Sequence, residues 1–200
     1  MKGGIRLSLR EQVYSVLVVS ASEKFNQALP EIFSAPVFSP VQFVSNVSAA
    51  KRAIAERDFD MVIVNSPLPD DSGLRFAIDT VSSYQTVVLF LARTEQYTQS
   101  FDQLAEHGVF LIQKPTSKTA FELASGWLIS ARERIRKTEK KTLSIEEKMN
   151  EIRLVNRAKW LLISELKMTE PDAHRYIEKQ AMDRCVPKRQ IAEEIINTYS

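Results

Sequence analysis

Five short apolar runs, Val13 to Val19, Val41 to Val44, Met61 to Val64, Val87 to Leu91 and Val109 to Ile112, alternate with helix-length amphipathic segments across the first 115 residues. The runs show little polar alternation, so each reads as a strand covered on both faces. Parallel strands need long crossovers, and a helix is the usual crossover that also covers the sheet. The pattern therefore predicts a doubly wound, flavodoxin-like α/β domain with a five-stranded parallel sheet. Ligand chemistry in such sheets gathers at the carboxyl ends of the strands. Here those ends carry Ser20-Ala21, Asn65, Leu91-Ala92 and Lys114-Pro115.

No Gly-rich or Ser-rich tether follows Lys114-Pro115, so the chain is expected to continue as helix. Phe121, Ala124, Leu128, Ala131, Ile135, Thr138, Thr142, Ile145, Met149 and Ile152 recur in alternating steps of three and four, the period of a coiled-coil seam. The spacing predicts an extended connector over 118–153 that pairs with a second copy of the chain, its dimer seam formed by Phe121, Leu128, Ile135, Ile145, Met149 and Ile152. Thr138 and Thr142 weaken the middle of that seam, and Ser144-Ile-Glu-Glu147 has the form of a capping box, so a break is expected near Thr142-Leu143-Ser144. Two placements fit Asn156: an a-type seam position, where a polar side chain fixes register, or an exposed face beyond the seam.

From residue 154 the apolar residues again follow helical spacing: Leu161, Leu162 and Leu166, then Ala173, Ile177 and Ala181, then Ile191 and Ile195. Three short helices over 154–200 account for them. Thr169-Glu-Pro-Asp172 supplies an N-cap hydroxyl, an early-turn Pro and an acidic residue that closes a capping box, and Pro187 starts the last helix after a break at Cys185-Val186. Residues 116–200 hold 17 Lys and Arg against 13 Asp and Glu, a net of +4, whereas residues 1–115 hold 10 against 12. The excess of positive charge at the C-terminal end permits contact with phosphates without requiring it.

Two resemblances follow from these residues. The element order and the loop Asn65-Ser-Pro-Leu-Pro-Asp-Asp-Ser-Gly73 resemble the receiver domain of two-component response regulators, implying a receiver-like domain over 1–117. In that family an acidic pair after the first strand holds magnesium, an Asp ending the third strand accepts phosphate, a Thr or Ser ends the fourth and a Lys before Pro ends the fifth. This chain has Ser20, Ala21, Asn65 and Leu91 at the first four places and keeps only Lys114-Pro115. Asn65 offers a neutral amide where a carboxylate would attack, Ser20 and Ala21 lack the anionic oxygens that draw Mg²⁺, and Leu91 has no hydroxyl for a phosphoryl oxygen. The expectation is a degenerate phosphoacceptor site, with Lys114 bonded to the Asn65 amide oxygen or a main-chain carbonyl. Asp58, Asp60, Asp70 and Asp71 are expected as exposed turn and cap residues.

The second resemblance is to the ANTAR domain. It is carried by Ala158-Lys159, Leu162, Thr169, Ala173, Tyr176, Ala181-Met182, Arg184 and Ala192. It implies binding to stem-loops in nascent leader RNA and control of transcription termination. Arg157, Lys159, Arg184, Lys188 and Arg189 are then the candidate RNA contacts, because Lys and Arg position a reader on phosphates. Trp160 and Tyr176 either stack on bases or pack in the core.

The apolar runs are far shorter than the ~20 residues of a membrane span, and no secretory signal is read at the N-terminus, so a cytoplasmic protein is expected. With Cys185 the lone cysteine, no internal disulfide or zinc-type site is expected, and no other metal or cofactor is implied. No nucleophile–base pair or phosphate-cradling Gly motif can be assembled, which argues against an enzyme. The leading expectation is a dimeric antitermination regulator whose input domain, unable to take a phosphoryl group, receives its signal by contact with a partner protein, on the surface from Glu95 to Phe121. The alternatives are a DNA-binding regulator and a non-catalytic scaffold. The absence of a Gly-containing turn before the last helix argues against a helix-turn-helix.

Overall fold

The strands expected from the sequence pair as a single parallel sheet in the computed structural model, which describes residues 12–34 and 36–199. The first eleven residues, on which the reading of the N-terminus rests, lie outside that set. Strands β1 (Tyr14–Val19), β2 (Phe38–Val44), β3 (Met61–Asn65), β4 (Val87–Arg93) and β5 (Phe110–Lys114) lie in the order β2-β1-β3-β4-β5. Side chains alternate between the two faces. Leu17, Val19, Val62, Val64, Val88 and Phe90 join one core with helices α2 (Val47–Glu56), α3 (Leu74–Ser83) and α4 (Thr94–Glu106). Val16, Val18, Met61, Ile63, Leu89 and Leu91 join the other, beside α1 (Glu23–Ala28) and α5 (Lys118–Leu166). Two helices follow, α6 (Glu170–Asp183) and α7 (Lys188–Tyr199). Among the described residues no helix is long and apolar enough to cross a membrane.

The chain divides into two compact units, the first ending at Arg136 and the second beginning at Lys137. Helix α5 contributes to both, and this corrects the expected dimer seam. Phe121, Ala124 and Leu128 are buried against the sheet, and Ile135 packs against the same cluster, so these residues complete the first unit's own core. Their three-four spacing is the stripe of a helix covering a sheet, which a coiled coil shares. The first unit thus extends past the boundary expected at residue 117. Helix α5 is also continuous through Thr142-Leu143-Ser144, where a break was expected. Ile145, Met149 and Ile152 remain exposed, as does Asn156.

Asp60 is a second correction, because it is not an exposed turn residue. Its carboxylate accepts from the Ser15 backbone N–H (2.9 Å) and pairs with Arg132 Nε (2.9 Å) and an Arg136 terminal nitrogen (2.8 Å). Arg136 also pairs with Glu133 at 2.9 Å and covers the Tyr14 ring, whose hydroxyl donates to Glu133. Burial by itself raises the Asp60 carboxyl, but hydrogen bonds from Ser15 and the two guanidinium groups overcome it, leaving its pKa below the usual carboxylate range. Asp70 is a cap contributed from a distance: it accepts from the Val47 and Ser48 backbone N–H groups at the start of α2 (2.9 and 3.0 Å).

In the second unit Ala158, Leu162, Ala173, Ile177, Ala181, Ile191, Ala192 and Ile195 form the core. Thr169 Oγ1 accepts from the Asp172 N–H and caps α6. Helix α6 ends with Cys185 in the left-handed region (φ 51°), with Val186 N–H donating to Ala181 O and Cys185 N–H to Met182 O. Those two bonds define a Schellman motif, whose left-handed position favours glycine.

Replacing Asp60 with Asn should lower the unfolding free energy by about 2 kcal/mol at neutral pH, since two partly buried guanidinium groups lose their counter-charge. A carboxyl with a lowered folded-state pKa stabilises above the ordinary carboxylate range and loses that effect as pH falls through the lowered value. Urea melts of parent and Asp60→Asn should therefore converge at acid pH; a constant gap would show that charge is not the cause. Cys185→Gly should stabilise the second unit by about 1 kcal/mol, read as a later transition of that unit in denaturant.

Candidate functional site: a strand-end cleft and a helical surface

The sheet order reverses between β1 and β3, and the residues ending those two strands face one another. Asn65 Nδ2 donates to Ser20 Oγ at 3.0 Å, and both side chains are buried. From β5, Lys114 Nζ donates to Asn65 Oδ1 at 2.7 Å and to the Ser66 carbonyl oxygen. The same three strand ends thus converge, with neutral groups meeting the ammonium. Desolvation, with the nearby Arg93 charge, lowers the Lys114 pKa from its ordinary value. Leu91 is fully buried in the core and Ala21 is exposed.

Ser20, Ala21 and Asn65 do not fit Mg²⁺, which takes hard anionic oxygens in place of water. Among the described residues no cluster of three or more His, Cys, Asp or Glu side chains is placed to hold a metal ion. A cleft of about 670 Å³ opens over these strand ends, lined by Lys24, Asn65, Leu91, Arg93 and Lys114 with Ser22 and Thr116. Lys24 and Arg93 were not singled out from the sequence. The signal for Arg93 was its place two residues beyond Leu91 at the end of β4.

In the second unit four of the five candidate cations are already engaged. Lys159 pairs with Glu170 at 2.7 Å, Arg184 holds Glu194 through two bonds (2.5 and 2.8 Å), Lys188 pairs with Glu178 and Arg189 with Glu193 at 2.8 Å. Hydrogen bonds from these cations hold the Glu170, Glu178 and Glu194 carboxyls below their usual range. Arg157 is exposed and has no ion-pair or hydrogen-bond partner among the described residues. Trp160 is 70% exposed and Met182 76%, so both stand out of the core; Tyr176 is also exposed. The Arg189–Glu193 pair was legible as an i, i+4 spacing, but the pairs between helices were not.

The first unit has the strand order and strand-end geometry of a receiver fold. It resembles the signal receiver domain of an HD domain-containing protein from Pseudomonas fluorescens Pf-5 (TM-score 0.57, 18% identity, 66% of this chain and 98% of that one). The non-phosphorylated HemR receiver domain from Leptospira biflexa is similar too (TM-score 0.53, 24% identity, 58% and 94%). Residues 144–196 match the ANTAR domain family, beginning inside α5 and ten residues before the boundary expected at 154. The transcriptional regulatory protein PdtaR of Mycobacterium tuberculosis is 28% identical over 140 residues, covering 70% of this chain and 68% of that protein. The chain thus joins a domain of receiver fold to a segment that matches the ANTAR domain family, and over 140 residues it is similar to a transcriptional regulatory protein.

Proposed function

We propose that this regulator is a cytoplasmic, non-enzymatic RNA-binding protein that acts on transcription termination, engaging stem-loops of nascent leader RNA as a dimer. The observation that carries the reading is the ANTAR match at 144–196, joined to a surface on which Trp160 stands 70% exposed near Arg157 and Lys159 in the sequence. An exposed indole has no packing reason to be there, and aromatic faces stack on unpaired bases. Arg157, Lys159, Arg184, Lys188 and Arg189 are the proposed phosphate contacts. Exposed Ile145, Met149 and Ile152 on α5 supply the proposed seam, shortened from the one expected. The proposed domains are then a receiver through Arg136 and an RNA module from 144 whose first turns, on α5, also carry the dimer seam.

Asn65 is proposed to take no phosphoryl group, since its amide is occupied by Ser20 and Lys114 and no carboxylate stands in its place. Input then comes by protein contact, for which exposed Phe101, Leu123 and Trp127 give the α4 and α5 faces an apolar surface. A DNA-binding reading gains one observation: Cys185 supplies the left-handed residue of a tight turn between α6 and α7 that contains no Gly.

Mobility shifts with tandem-hairpin leader RNA and with matched duplex DNA separate the two readings. RNA should be preferred, and Arg157→Ala and Lys159→Ala should each weaken RNA binding and reduce its log–log salt slope by about 1. Equal binding to duplex DNA, or none to either, would sink the RNA reading. For the receiver, incubation with acetyl phosphate and Mg²⁺ should leave the intact mass unchanged; a phosphoryl gain that disappears in Asn65→Ala would overturn the acceptor reading.

A further inference from the structure

We propose that the strand-end cleft of the receiver unit binds a phosphorylated small molecule non-covalently, its phosphate held by Arg93, Lys114 and Lys24. Arg93 and Lys114 are register partners on adjacent parallel strands, and both line the cleft. Like charges directly opposite one another in a sheet destabilise it, so such a pair at a strand end calls for a counter-charge. None is supplied by the lining, which contains Lys24, Arg93 and Lys114 but neither Asp nor Glu. Lys114 is partly buried, and the oxygens it meets, from Asn65 and Ser66, are both neutral. A partly desolvated ammonium held only by neutral acceptors gains most from an anion.

The rest of the lining fits an organic phosphate. The Ser22 and Thr116 hydroxyls offer further donors, and Phe25, Pro67 and Pro115 give an apolar wall for the remainder of the ligand. A volume of about 670 Å³ lies in the ordinary range for small-molecule sites. Three cations favour a phosphate dianion over a single carboxylate, because each Coulomb contact scales with the ligand charge. The regulator would then read the concentration of a free metabolite in addition to the proposed protein contact. The inference rests on the reading that Asn65 is not a phosphoryl acceptor.

The test uses the full chain, with inorganic phosphate, AMP and ADP as probes in isothermal titration and thermal melts at low, matched ionic strength. Saturable binding and a raised midpoint are expected with at least one probe, with the mass unchanged after desalting. Arg93→Gln and Lys24→Gln are exposed replacements and should each weaken binding about tenfold while leaving the ligand-free melt near the parent's. Lack of saturable binding, an equal midpoint rise with sodium chloride, or affinity indifferent to both substitutions would overturn the proposal. Because the readout is ligand binding, such a failure leaves the RNA reading standing, whereas covalent transfer to Asn65 would announce itself as a mass gain.

Discussion

The Asp60 carboxylate, at the foot of β3, ties three parts of the receiver together: the backbone at Ser15, Arg132 and Arg136. The two arginines belong to α5, so the ion pairs fix that helix against the amino ends of the strands, while Phe121, Ala124 and Leu128 bury its apolar stripe against the sheet. A half-buried carboxylate facing two guanidinium groups is costly to disrupt, because each remaining partner would keep its desolvation and lose its counter-charge. That packing of α5 on the sheet takes Phe121, Leu128 and Ile135 out of the expected seam and leaves Ile145, Met149 and Ile152 exposed. Residues that would otherwise pair two chains are spent on closing one domain.

The architecture was legible in the sequence because each strand is a short, nearly unbroken apolar run, and the length of the intervening segments permits only parallel crossovers. The strand-end site was legible in part, since Lys24 and Arg93 were not singled out. Ser20, Asn65 and Lys114 do converge, since the topology brings the ends of β1, β3 and β5 together whatever residues occupy them. What could not be read was the choice between two structures with one period. A stripe from Phe121 to Ile135 suits a coiled coil and a sheet-covering helix alike, and only the depth of the sheet's open face decides. Asp60 was missed for a related reason: its two arginine partners lie more than seventy residues away, and Ser15 forty-five.

In the strand-end cleft a lysine reaches from β5 to the end of β3. The groups that meet it are an amide oxygen and a peptide carbonyl, neither of which carries charge. Lys114 is therefore both a tie that holds the β3 loop and a source of uncompensated charge.

The carboxylate partners of Lys159, Arg184, Lys188 and Arg189 have a kinetic side. Each ion pair is a local dipole whose field dies away much faster than that of a bare cation, so these four residues cast little attraction across several ångströms of salt solution, unlike exposed Arg157. On the proposed RNA-binding reading, a polyanion that settles on these four residues must take each of them from a glutamate, an exchange that succeeds only when phosphates arrive in matching positions together.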